Sequence, residues 1–65
     1  MIFEIEVAGK RISVHLENKR HIKHCYLRIL KPELIQIRAN IYFNIYDAKE
    51  LLNRKLSWIE KSILQ

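Results

Sequence analysis

Three histidines and the only cysteine are the side chains of this 65-residue sequence best suited to ligate a soft metal ion. His21, His24 and Cys25 lie close together, and His15 precedes them. Imidazole and thiolate groups together suit a divalent ion such as zinc. However, the spacing of the two nearer histidines suits a helix, and this segment is predicted to be extended, so that His24 and Cys25 point to opposite faces. We therefore predict surface histidines, a cysteine in the core and no metal site.

A second group with possible chemistry is basic. Arg28 and Arg38 are predicted on the outward face of neighbouring strands, and Tyr26 lies beside them as a ring on which a base could stack. With the net charge of +5, these residues define a candidate nucleic-acid surface made of Lys19, Arg20, Lys23, Arg28 and Arg38. A solvated sheet face, or one that docks an acidic domain, would have the same composition, because no recognised nucleic-acid motif is present.

Length and composition predict one small domain spanning residues 1–65. The chain is 49% hydrophobic and 29% charged, which excludes disorder as the default. A single cysteine excludes an internal disulfide and a four-cysteine zinc site. No apolar run reaches the roughly 18 residues of a membrane span, and the N-terminus does not resemble a signal peptide, so we expect a cytoplasmic protein without a membrane partner.

Alternation of apolar and polar residues predicts four strands, at about residues 2–7, 11–17, 22–30 and 34–40. The inward set of the third strand is predicted to be Cys25, Leu27 and Ile29. Gly9 suits the first central position of a type II′ turn between the first two strands, and Pro32 ends the third strand. The strands are therefore predicted to form two hairpins in one antiparallel sheet.

The C-terminal third predicts one amphipathic helix over residues 45–64. Its apolar residues recur at steps of three and four, at Ile45, Ala48, Leu52, Leu56, Ile59 and Ile63. Asn44 is the preferred N-cap, and Asp47 with Glu50 in a capping box is the competitor. The predicted fold is therefore α+β: a four-stranded antiparallel sheet of two hairpins, packed on one face by one C-terminal helix.

Four segments in order carry a resemblance to a known family: residues 18–24 (NKRHIKH), 25–29 (CYLRI), 35–39 (IQIRA) and 55–59 (KLSWI). This order resembles the N-terminal part of YgjP-like zinc metallopeptidases, a family of predicted metal-dependent hydrolases. Its pattern is a basic segment, an L-R-V strand, a V-R-A-P strand and a helix that closes with K-x-x-W-I. The resemblance covers about residues 18–63 and only the first third of a family member, and Asn40 stands where the family has proline.

The resemblance implies a zinc ion held by H-E-x-x-H in a later, catalytic half, where the glutamate activates the zinc-bound water. This sequence has no such motif, since no histidine is followed by glutamate and none lies beyond His24. No catalytic residue is therefore carried over. Any cofactor implied is zinc in the missing half, and the chain by itself makes no case for an enzyme.

The expected function is a non-catalytic N-terminal module that scaffolds the catalytic half or presents substrate to it. Its partner would be the catalytic domain of the same protein or a second copy. Trp58 is predicted to cap the core at the edge of the sheet, with an anchor for domain docking as the alternative. The alternative function is a small basic nucleic-acid-binding module.

Overall fold

The computed structural model describes residues 1–64, so Gln65, the last residue of the predicted domain, lies outside the described residues. It contains four strands and two helices: β1 (Ile2–Val7), β2 (Lys10–Asn18), β3 (Tyr26–Lys31), β4 (Leu34–Ala39), α1 (Ile45–Arg54) and α2 (Leu56–Leu64). The α+β class is confirmed. No helix within residues 1–64 is long and apolar enough to cross a membrane.

The sheet is mixed, so the prediction of a purely antiparallel sheet is wrong. Both hairpins form as predicted, and the strand order is β1-β2-β4-β3. The hairpins join through β2 and β4, which run parallel, with Val14 opposite Ile35 and Leu16 opposite Ile37. This order requires the chain after β2 to cross the end of β4 before it enters β3. The predicted third strand is shortened for the same reason: residues 22–25 belong to the crossing segment, and Cys25 is exposed rather than in the core.

The β1–β2 turn is type I′ rather than the predicted type II′. Val7 pairs with Lys10, which leaves Ala8 and Gly9 as the two central residues. Both have positive φ, 52° at Ala8 and 78° at Gly9. A type I′ turn requires positive φ at both central positions, and its twist matches that of the flanking strands. Ala8 therefore adopts a left-handed backbone conformation, which is unfavourable for a residue with a Cβ atom.

The core lies between one face of the sheet and the two helices. Its buried residues alternate along the strands and recur along the helices: Val7, Ile12, Val14, Leu16, Ile35, Ile37, Ala39, Ala48, Leu52, Ile59 and Ile63. Phe3, Ile5, Leu27 and Ile29 are half-buried against this cluster from the two edge strands. The helices cover only this face. The opposite face of the sheet, which we call the open face, carries the polar residues of each alternation.

Two helices replace the single predicted one because the backbone turns at Lys55. Its φ of −99° and ψ of 11° depart from helical values, although its N–H still donates to the Leu51 carbonyl at 3.1 Å. Leu56, predicted on the apolar stripe, is 37% exposed directly after the turn, whereas Ile59 is fully buried. Residues 45–64 contain no glycine or proline, so nothing local in the sequence signals the break.

Asn44 is the N-cap of α1, as preferred from the sequence. Its side-chain oxygen accepts a hydrogen bond from the Asp47 N–H at 2.9 Å, and the Asp47 carboxylate accepts one from the Asn44 N–H at 3.0 Å. This reciprocal capping box satisfies two amides that have no partner within the helix. It fixes where the chain leaves the end of β4 and enters the helical layer.

Candidate docking groove and basic surface

Two asparagines hold the segment that crosses the end of β4. Asn18, the last residue of β2, donates through its side-chain amide to the carbonyl oxygens of Asn40 and Phe43, at 2.9 and 2.7 Å. Asn40, the residue after β4, donates to the carbonyl oxygens of Arg20 and Ile22, at 3.3 and 3.1 Å. The crossing segment, residues 19–25, is thereby tied to the strands that it passes. This arrangement fixes the backbone that carries Lys19, Arg20 and Lys23.

These three basic side chains of the crossing segment are exposed. Arg28 and Arg38 lie on the open face of the neighbouring strands β3 and β4, since Arg28 pairs with Gln36 and Arg38 pairs with Tyr26. The two arginines and Tyr26 line one shallow depression, together with Cys25 and Leu27. The structure therefore brings Arg28, Arg38 and Tyr26 together as predicted. The crossing segment ends directly before Tyr26.

Arg38 is partly neutralised on the open face. Its Nε lies 3.5 Å from a carboxylate oxygen of Glu17 on β2, and the same glutamate accepts a hydrogen bond from Gln36 at 3.1 Å. The Nε atom is buried and makes no hydrogen bond, so its contact with Glu17 is an ion pair without hydrogen-bond geometry. Arg38 is for this reason less free than Arg28 to bind an external anion.

The net positive charge of the protein comes from one segment. Residues 18–32 contain five of the twelve lysines and arginines and none of the seven acidic residues. The rest of the chain therefore balances seven basic residues against seven acidic ones. Because this segment forms the crossing loop and β3, one edge of the sheet is basic. The other edge strand, β1, carries Glu4 and Glu6.

An apolar groove runs beside the basic edge, between β3 and the helices. It has a volume of about 470 Å³ and is lined by Cys25, Leu27, Leu51, Lys55 and Trp58. Leu27 and Leu51 are half-buried beneath it, and Trp58 is 47% exposed. Trp58 lines this groove together with Leu27 of the edge strand β3 and keeps nearly half of its surface exposed. We call this feature the Trp58 groove.

The residues considered for a metal site do not converge. His21, His24 and Cys25 are all exposed in the crossing segment, and His15 is half-buried on β2. Within residues 1–64 no three His, Cys, Asp or Glu side chains are placed close enough together to hold a metal ion. The prediction of surface histidines is confirmed at His21 and His24. The prediction of a core cysteine is wrong because β3 begins only at Tyr26, which leaves Cys25 exposed in the crossing segment.

Sequence reasoning missed two features of the candidate site. It did not assign Asn18 and Asn40 as the anchors of the crossing segment, although an asparagine at the end of each of two alternating apolar segments is a signal that could have been used. It also did not predict the Trp58 groove, because Leu27 and Leu51 look like ordinary core residues in their own elements.

Comparison of the chain with protein-family models, with curated proteins and with solved structures found no match.

Proposed function

We propose that this chain is a non-catalytic N-terminal module that scaffolds the catalytic domain of a YgjP-like zinc metallopeptidase, or helps that domain to present its substrate. The observation that carries the proposal is the Trp58 groove. Within the segment that matches K-x-x-W-I, Ile59 is fully buried and serves the core, whereas Trp58 is 47% exposed. The aromatic residue of the motif is thus left available for a partner.

The groove has the composition of a docking site rather than of a solvated surface. Leu27, Leu51 and Trp58 offer apolar area, and Lys55 supplies one charge. Tryptophan contributes strongly to interfaces because it buries a large surface and keeps one polar atom for a hydrogen bond. In this proposal the partner domain brings the zinc ion and the catalytic residues, and the chain described here contributes binding and orientation.

The experiment combines this chain with a separately expressed H-E-x-x-H domain of a YgjP-like metallopeptidase. Because Trp58 is the only tryptophan, 5-fluorotryptophan incorporated into this chain alone gives one fluorine signal that reports on the groove. We expect a 1:1 complex by calorimetry and a shifted fluorine resonance. Trp58→Ala should weaken binding by about 2 kcal/mol if the indole is an anchor of the interface.

Tyr46→Ala is the matched control for this test. Tyr46 is an exposed aromatic residue on α1, 77% exposed, and it does not line the groove. The Tyr46→Ala variant should bind the H-E-x-x-H domain with unchanged affinity. The proposal fails if the two chains do not associate, or if Trp58→Ala and Tyr46→Ala weaken binding equally.

Nucleic-acid binding is the second candidate, and the clustering of charge in residues 18–32 favours it. Lys19, Arg20 and Lys23 on the crossing segment and Arg28 on β3 could follow a phosphate backbone, with Tyr26 as a stacking platform. Arg38 would contribute less because Glu17 already pairs with it. Fluorescence anisotropy with a labelled single-stranded oligonucleotide tests this candidate: affinity should fall steeply as salt rises, and Arg28→Glu should abolish binding while Lys10→Glu does not. Salt-independent or absent binding removes it.

A further inference from the structure

The basic edge strand β3 has one side of its backbone without a strand partner. It lies last in the order β1-β2-β4-β3, and no other strand of residues 1–64 pairs with its outer side. An edge strand directs alternate N–H and C=O groups outward, where they can pair with another chain. The pairing with β4 is regular from Tyr26 to Ile29, and the irregularity that can shield an edge is confined to the end of the strand, between Ile29 and Lys31. A stretch of four residues is therefore open to pairing.

The Trp58 groove lies directly beside this open stretch. Leu27 lines its floor from β3, and Leu51 and Trp58 line it from α1 and α2. Successive side chains of a strand added to β3 would point alternately toward this groove and toward the open face. A groove next to an exposed edge is how several domains bind extended peptides, with backbone hydrogen bonds for affinity and a pocket for alternate side chains.

The charges around the outer edge of β3 favour an added strand with acidic side chains. Arg28 lies on the open face of β3, Lys31 ends the strand, and Lys55 lines the groove. The absence of acidic residues from residues 18–32 means that nothing in this segment offsets these charges. Acidic side chains on the open-face side of an added strand would be attracted, and basic ones would be repelled.

We propose that β3 accepts an additional strand from a partner protein, an extended acidic segment whose alternate apolar side chains enter the Trp58 groove. The proposal rests on the proposed docking function and names the chemistry of the partner. The β1 strand of a second copy has a related pattern, with Phe3 and Ile5 alternating with Glu4 and Glu6. However, Phe3 and Ile5 are already packed against the core of their own molecule, so they cannot fill a neighbour's groove.

The test uses capped eight-residue peptides that alternate valine with glutamate or valine with lysine. Neither contains tryptophan, so the tryptophan fluorescence of the full chain, excited selectively over its three tyrosines, reports on Trp58 alone. The glutamate peptide should shift the emission to shorter wavelength and protect alternate β3 amides from hydrogen exchange. The lysine peptide should bind at least about tenfold more weakly, since each exposed charge pair contributes a fraction of a kcal/mol and several change sign together.

Backbone methylation separates strand addition from simple filling of the groove. Two further glutamate peptides carry N-methyl groups on alternate residues, one in each phase. Only one phase directs its N–H groups toward β3, so one peptide should lose at least about tenfold in affinity while the other binds as before. Equal binding of the two phases would overturn the proposal, as would the absence of any fluorescence change with all peptides.

Two protein variants complete the test. Arg28→Glu should weaken the glutamate peptide about fivefold and strengthen the lysine peptide, whereas Lys10→Glu, in the β1–β2 hairpin away from β3, should change neither by more than about twofold. Circular dichroism of each variant checks the fold. Self-association of the chain without peptide that Glu4→Lys and Glu6→Lys abolish would identify a second copy as the occupant and overturn the proposal.

The outcome for this edge is separable from that for the docking function. If the H-E-x-x-H domain binds through Trp58 but Arg28→Glu has no effect and the glutamate peptide does not compete, the strand-addition proposal fails and the docking function stands. If the glutamate peptide binds in one methylation phase but the catalytic domain does not bind, the docking function fails and the strand site stands.

Discussion

The side-chain amide nitrogen of Asn18 lies 2.9 Å from the carbonyl oxygen of Asn40 and donates a hydrogen bond to it. This bond joins the end of β2 to the end of β4, the two parallel strands at the centre of the sheet. The backbone N–H of Lys19 donates to the Ala39 carbonyl at 2.8 Å in the same place. The crossing segment that leads into β3 and the loop that leads into α1 are both held at this point.

Removal of the Asn40 side chain should loosen the crossing segment. Its amide satisfies the carbonyl oxygens of Arg20 and Ile22, and its oxygen accepts from the Tyr42 N–H at 3.1 Å. We expect Asn40→Ala to lower the free energy of unfolding by about 1–3 kcal/mol, since three backbone groups lose their partner. Urea denaturation measures the change. Asn53→Ala, on the exposed side of α1, is the control, and an equal effect of the two would contradict the anchoring role.

The β1–β2 turn should be improved by one substitution. Ala8 has a φ of 52°, and Asn-Gly is the preferred pair for a type I′ turn. Ala8→Asn should therefore raise the free energy of unfolding by about 0.5–1 kcal/mol, because asparagine tolerates the left-handed region better than alanine. Thermal denaturation would detect an increase in melting temperature of a few degrees. Gly9→Ala, at a φ of 78°, should have the opposite sign; a destabilised Ala8→Asn would contradict the turn type.

The turn at Lys55 predicts unequal effects at two neighbouring apolar residues. Ile59 is fully buried, whereas Leu56 is 37% exposed. Ile59→Val should lower the free energy of unfolding by about 0.5–1.5 kcal/mol although it removes only one methylene group. Leu56→Gln should change it by less than about 0.5 kcal/mol, as is usual for surface positions. Greater destabilisation by Leu56→Gln would mean that the helix continues straight through Lys55.

The ion pair between Glu17 and Arg38 should contribute little to stability. The two side chains are 41% and 43% exposed, and their contact lacks hydrogen-bond geometry. A double-mutant cycle with Glu17→Gln and Arg38→Gln should give a coupling energy below about 1 kcal/mol that decreases with added salt. A larger coupling that persists in high salt would show that the pair is structural.

The same Glu17→Gln variant should strengthen oligonucleotide binding if the nucleic-acid candidate is correct, since it frees Arg38.

The hairpins could be predicted from the sequence because their information is local. Alternation along β1, β2 and β4 identified the inward residues, and these are buried or half-buried in the structure. The N-cap at Asn44 was also predictable, since it depends on two side chains three residues apart. Neither the type of the β1–β2 turn nor the end of the first helix at Lys55 was predicted. The pairing of Val7 with Lys10 places alanine at positive φ, and the helix ends without a glycine or proline to mark it.

The sequence by itself determined the class of the fold, the two hairpins and the concentration of positive charge in residues 18–32. The tertiary structure decided how the hairpins join, because the parallel pairing of β2 and β4 links residues that are far apart in the chain and carry no mutual signal. That pairing places β3 at the edge and brings Leu27, Leu51 and Trp58 together beside it. Periodicity reports which face of an element is apolar, but only the assembled fold determines where the apolar surface remains uncovered.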